Sequence, residues 1–82
     1  MIATVHDRVQ KIFRDVFNDE TLTVRNDMTA KDVEGWDSLN QINLIIMIEN
    51  EFGLQFDPDE IATLANVGEL FVLLSKYGVV DE

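Results

Sequence analysis

The chain has 82 residues, of which 46% are apolar, 16 are acidic and 6 are basic, for a formal net charge of −10. That length gives one domain with a single small core, and that charge excludes sequence-neutral binding to nucleic acid and to anionic membrane surfaces, both of which need clustered Lys and Arg. With no Cys and one His, His6, disulfide frameworks, thiolate metal sites, cysteine nucleophiles and His-His metal pairs are excluded as well.

The charge is uneven. Residues 1–31 hold five acids and five bases, whereas residues 32–82 hold eleven acids and a single base, Lys76. The surplus reads either as a solvated, self-repelling surface or as a steering field for basic partners. No apolar run reaches the length of a membrane span, and the N-terminus lacks the basic-then-apolar layout of a signal peptide. A cytoplasmic protein is expected. Self-repulsion predicts a monomer, and the starting Met favours a complete chain.

Apolar residues at positions 2, 5, 9, 12, 13, 16 and 17 follow the helical period, and Arg8, Gln10, Lys11, Arg14 and Asp15 fall on the other side. This predicts an amphipathic first helix ending near Asn18. His6 sits at the edge of the stripe with no titratable partner at i+3 or i+4, which marks it as structural. Residues 18–37 form a long connector whose spaced anchors, Leu22, Val24, Met28, Val33 and Trp36, pin it across the bundle. Within it, Asp27 to Asp37 fails a calcium-loop pattern, with Thr29 and Lys31 at ligand positions. No metal site is expected.

Three helix starts share a capping residue followed three positions later by Glu or Gln: Ser38 with Gln41, Asp57 with Glu60, and Asn66 with Glu69. Pro58 suits a first helical position, and Gly53 and Gly78 suit left-handed helix ends. Helices are predicted over 38–52, 58–64 and 67–77. The fold class is therefore all-α: a four-helix bundle with a long first loop and a short third helix. The second helix, apolar without a break from Leu44 to Ile48, is expected at the centre of the bundle. Its polar arc holds Asn40, Asn43, Asn50 and Glu51; Met47 falls inside that arc and Ile46 borders it. Exposure for a partner and packing against the connector both stay open for these two residues.

Ser38 is the chemical focus. At the positive end of a helix its hydroxyl lies near free backbone N–H groups, a place that stabilises a phosphate ester. The same position is equally that of a plain N-cap. With no His or Lys beside it in sequence, Ser38 is not a self-activated nucleophile.

Asp37-Ser38-Leu39, the run Leu39 to Phe56 (LNQINLIIMIENEFGLQF), Asp57-Pro58-Asp59-Glu60-Ile61 and Val67-Gly68-Glu69-Leu70 together resemble the acyl carrier protein family. The resemblance implies one carrier domain over residues 1–82, without catalysis of its own. It implies that a phosphopantetheinyl transferase moves 4′-phosphopantetheine from coenzyme A to Ser38, flanked by Asp37 and Leu39, and that the thiol of that arm holds acyl groups as thioesters. Partner enzymes that load, condense and transfer acyl groups would bring basic docking patches to Asp37, Asn40, Asn43, Ile46, Met47, Glu49, Asn50, Asp59 and Glu60. A gap between helices would shelter the acyl chain, with Leu44, Ile45, Ile48, Phe52, Leu64, Leu70 and Phe71 as lining or as plain core.

The chain departs from housekeeping fatty acid carriers at Trp36, where a small residue is usual, and at Asn40, Asn43 and Asn50, where acids are usual. Those departures point to a specialised carrier of fatty acid, polyketide or related biosynthesis. An aminoacyl or peptidyl carrier is the neighbouring alternative. An acidic helical interaction protein is the alternative from another class; it accounts for the charge but not for the serine junction.

Overall fold

The computed structural model describes residues 4–79. Four helices follow in order: α1 (Val5–Phe17), α2 (Ser38–Phe52), α3 (Pro58–Ala62) and α4 (Val67–Lys76). No strand occurs among the described residues. The expected all-α bundle with a long first loop and a short third helix is the fold observed. Ile2, assigned to the first helix from its spacing, lies outside the described residues.

α1 starts on Thr4, whose hydroxyl accepts from Asp7 N at 3.0 Å while the Asp7 carboxylate accepts from Thr4 N at 3.4 Å. This reciprocal cap uses Asp where the sequence rule looks for Glu or Gln. α1 ends at Asn18 in the left-handed conformation, φ 52°. One face of α1 buries Val9, Ile12 and Phe13 in a core shared with Leu44, Ile45 and Ile48 of α2 and Leu70, Leu73 and Leu74 of α4. Each such side chain contributes about 1.5–3 kcal/mol on burial, before the entropy of ordering it is subtracted.

The connector is pinned as expected. Val24, Met28 and Val33 are buried, and Leu22 and Trp36 pack half-buried against the core. Polar tacks hold it between the apolar anchors. Gln10 Oε1 accepts from Val24 N (3.0 Å), and Arg14 Nε donates to Leu22 O (2.7 Å). His6 Nε2 lies 2.9 Å from Val24 O; a carbonyl only accepts, so the ring carries its proton on Nε2. The ring also stacks on Phe71 at 5.7 Å. His6 is structural.

Connector carbonyls also finish α4. Met28 O accepts from Val67 N at 2.9 Å, and Asn26 O accepts from Gly68 N at 2.8 Å. Asn66 Oδ1 takes Glu69 N at 2.9 Å, so the first turn of α4 has no free donor left to offer an anion. The approach at Gly68 is tight: a Cβ there would stand 2.9 Å from Asn26 O.

Three expectations need correcting. α3 stops at Ala62 rather than at position 64, and α4 ends at Lys76. The Asp57–Glu60 cap is not reciprocal: Asp57 accepts from Asp59 N, but Glu60 turns to Tyr77 and Lys76, and the Tyr77 hydroxyl takes Asp57 N at 3.1 Å instead. Lastly, α2 is not wrapped by the bundle. Leu39 is 67% exposed, Ile42 58% and Ile46 48%, and at about 100° per residue these three fall within a stripe about 60° wide. A continuously apolar segment carries no phase in its sequence, so only the packing of the other helices selects which side faces water.

Candidate functional site at the start of the second helix

The N-cap of α2 is Asp37, not Ser38. Its backbone is extended, its Oδ1 accepts from Asn40 N at 2.9 Å, and its carbonyl accepts from Gln41 N at 2.8 Å. Ser38 is therefore the first helical residue. Because the cap is supplied by its neighbour, the Ser38 hydroxyl makes no hydrogen bond to any described residue, and Ser38 is exposed. The backbone N–H groups of Ser38 and Leu39 likewise meet no acceptor among the described residues. A free hydroxyl beside two free amides, at the positive end of a 15-residue helix, suits a phosphate ester.

The connector places this junction. Gly35 turns the chain with φ 87°, and its carbonyl accepts from Asn40 Nδ2 at 2.6 Å. Trp36 then inserts against α1, edge-on to Phe13 at 5.4 Å and tilted over Phe17 at 5.8 Å. Its indole N–H donates to Gln41 Oε1 at 2.6 Å. The residue before Asp37 is thus bonded to the core and to α2 at once, which sets the angle at which Ser38 is presented.

Ser38 stands at the edge of a cavity of about 450 Å³ between α2, α3 and the start of α4. Leu44, Ile45, Leu64 and Leu70 line it, as proposed from the sequence, while Ile48, Phe52 and Phe71 do not. Ala30, Trp36, Asp37, Gln41, Ile61, Ala62, Ala65, Asn66 and Val67 complete the wall. Gln41 and Asn66 had a sequence signal only as members of capping patterns, and Ala62 at the end of α3 and Ala65 beyond it had none.

The residues proposed for partner contact divide. Asp37, Asn43, Ile46 and Asn50 are exposed, and Leu39 and Ile42, absent from that set, join them. Met47 is half-buried and turns toward α1, lining a groove with Arg8, Lys11 and Ile12. Asn40 is spent on Gly35 O. Glu49 uses Oε2 to accept from Phe56 N at 2.8 Å, closing the turn between α2 and α3. Asp59 is exposed on α3. Glu60 accepts from Tyr77 Oη at 2.6 Å and from Lys76 Nζ at 3.2 Å. Those bonds, the Tyr77 one first, hold its carboxyl below the ordinary range and push the Tyr77 phenol up.

The family model for the phosphopantetheine attachment site matches residues 7–71, and the chain belongs to that family, the acyl carrier proteins, whose members bear 4′-phosphopantetheine covalently and act as carriers without catalysis of their own. A holo acyl carrier protein from Geobacter metallireducens superposes with a TM-score of 0.80 at 37% identity, over 87% of this chain and 82% of that one. An acyl carrier protein homolog of Mycoplasma genitalium is 38% identical over 47 residues, 52% of this chain. That match spans about half the length of the Mycoplasma protein, 56%. Acyl carrier protein 3 of Ralstonia nicotianae is 27% identical over 67 residues, 82% of this chain and 77% of that protein. The residues at the start of α2 fit the family's group: an unengaged hydroxyl, two unengaged amides for a phosphate, and an apolar cavity within reach of the arm.

Proposed function

We propose that Ser38 Oγ is the attachment point of 4′-phosphopantetheine and that the chain presents thioester-bound acyl intermediates to the enzymes of a specialised pathway. The observation that carries this reading is the division of labour between neighbours: Asp37 caps α2, which leaves the Ser38 hydroxyl free and exposed. When bound, the group supplies a thiol on a flexible arm, raising the local concentration of its cargo at each partner's active site.

The chain's own part is to offer the hydroxyl, stabilise the phosphodiester and dock. Ser38 Oγ gives up its proton to a base of the phosphopantetheinyl transferase as the phosphodiester forms and the nucleotide part of coenzyme A departs. The free amides of Ser38 and Leu39 favour the anionic ester. The stripe of Leu39, Ile42 and Ile46, edged by Asn43, Asn50 and Asp37, suits a partner with an apolar centre and a basic rim. Trp36 and the asparagines in place of acids favour a dedicated enzyme set over the housekeeping one. A monomer in the cytoplasm is the setting this implies.

Intact mass spectrometry after incubation with coenzyme A and a broad-specificity transferase tests the assignment. One phosphopantetheine gained by the wild type and none by Ser38→Ala is the expected result. A gain by both, or by neither in folded protein that was not already modified, removes Ser38 from this role. An aminoacyl cargo is the second reading, favoured by the anionic Asp37 at the cavity edge, and loading assays with amino acids and acyl groups separate the two.

A further inference from the structure

The cavity wall contains a polar pair that attachment and docking leave unused. An indole N–H only donates, so the oxygen of Gln41 must be the atom facing Trp36 across their 2.6 Å bond. That bond fixes the orientation of the carboxamide, and Phe13 and Phe17 fix the indole. The Gln41 amide nitrogen, with two N–H groups, is therefore turned away from Trp36. It meets no acceptor among the described residues. No buried side-chain nitrogen or oxygen of the described residues lacks a partner, so this nitrogen of half-buried Gln41 is reached by solvent.

Asn66 obeys the same logic. Its Oδ1 accepts from the Glu69 N–H at 2.9 Å, which leaves Nδ2 as a second oriented donor without a partner among the described residues. Both residues line the cavity that Leu44, Ile45 and Leu70 otherwise make apolar. Each amide oxygen already holds one donor, while the N–H groups of both amides are left over. A saturated alkyl chain entering here would strip water from those donors and return no acceptor. A free carboxylate would meet Asp37, which lines the same cavity.

Resting on the assignment of the arm to Ser38, we infer that the cavity selects acyl groups bearing a neutral oxygen, a ketone or hydroxyl along the chain, over saturated ones. Gln41 is the specificity-determining residue and Asn66 its second donor. Trp36 acts through Gln41, as a positioning residue.

The test compares four forms of the intact protein: the bare arm, and the arm loaded with hexanoyl, 3-oxohexanoyl or 5-oxohexanoyl groups. Intact mass checks loading first; failure to load at Ser38 overturns the attachment assignment, and this inference with it. In the loaded protein, the side-chain NH₂ resonances of Gln41 and Asn66 are followed, together with thioester half-life relative to the same thioester of free pantetheine. At least one oxo form is expected to move the Gln41 resonances and to be protected about two- to tenfold better than hexanoyl, the range of one hydrogen bond. Gln41→Glu keeps an oxygen for Trp36 but removes the donor, and should erase the preference. Equal shifts and protection for hexanoyl and oxo forms overturn the inference. So does a full shift in the bare-arm form, since the donors would then be holding the arm's own amide carbonyls. Should Gln41→Glu fail to fold, the wild-type comparison alone decides.

Discussion

The phenol of Tyr77 donates to Glu60 Oε1 at 2.6 Å and accepts the Asp57 N–H at 3.1 Å, so a residue just beyond α4 closes the first turn of α3. α3 is five residues long and buries none of them. Its place beside the cavity therefore depends on this closure and on half-buried Ile61. Phe56, edge-on to Tyr77 at 5.2 Å, orients the phenol.

Tyr77→Phe keeps the ring and removes both bonds. Amide exchange should accelerate at Asp57 and through 58–62, with α1 and α2 unchanged and the melting temperature lowered only slightly, because the core is untouched. Unaltered exchange at Asp57 would show that α3 is held by something else.

The same pair gives a pH signature. Glu60 is held below its ordinary value of 4.5, chiefly by Tyr77 and then by Lys76. Its contribution to stability is full above that value and is lost as the pH falls through the lower folded one. Tyr77 is raised above 10.0, chiefly by Glu60. Its contribution is full below 10.0 and is lost as the pH rises through the higher folded value. Glu60→Gln should therefore flatten both limbs of the melting curve against pH. Relief of the −10 self-repulsion on acidification is nearly common to both proteins, so the difference between their curves isolates the pair. Parallel curves would contradict it.

Gly68 is helical, so its constraint is contact and not backbone angle. Gly68→Ala sets a Cβ 2.9 Å from Asn26 O, in the place where Gly68 N donates to that same oxygen at 2.8 Å. The loop and α4 must separate, at a cost of about 1–3 kcal/mol. Chemical denaturation reads this directly, and an unchanged midpoint would mean that the loop yields freely.

Two isoleucines of α2 should respond oppositely. Ile48 is fully buried and Ile46 is 48% exposed. Ile48→Ala is expected to lose about 2–5 kcal/mol of stability. Ile46→Ser should lose less than about 1 kcal/mol yet slow loading by the transferase, more so at high salt, where charge steering is screened and the apolar contact carries more of the docking. Loading at the wild-type rate would take Ile46 out of the docking surface.

What the sequence displays follows from the range of the forces involved. The four helices and the anchoring of the 18–37 connector were legible because periodicity, Pro58, Gly53 and the spaced apolar anchors are local signals. The cap of α2 was not, since Asp37 and Ser38 are adjacent residues of equal capping power and only the backbone at Gly35 and Trp36 decides between them. Glu60 obeyed a local capping pattern in sequence, but a partner 17 positions away, Tyr77, outcompeted it. The exposed side of α2 was hidden by the evenness of its apolar run. Of the candidate site, Ser38 and four of the cavity residues could be read; the Trp36–Gln41 pair could not, because a side-chain hydrogen bond leaves no periodic trace.

Trp36 is the chain's single tryptophan, and it stands in the cavity wall with its indole N–H hydrogen-bonded and its ring clasped by two phenylalanines. Indole emission answers to local polarity and to the strain on that N–H. The protein thus carries a built-in optical gauge of what its cavity holds. Entry of a chain that displaces water should shift the emission to the blue, and a cargo that pulls on Gln41 should be felt one bond further along, at the fluorophore itself, with no label attached.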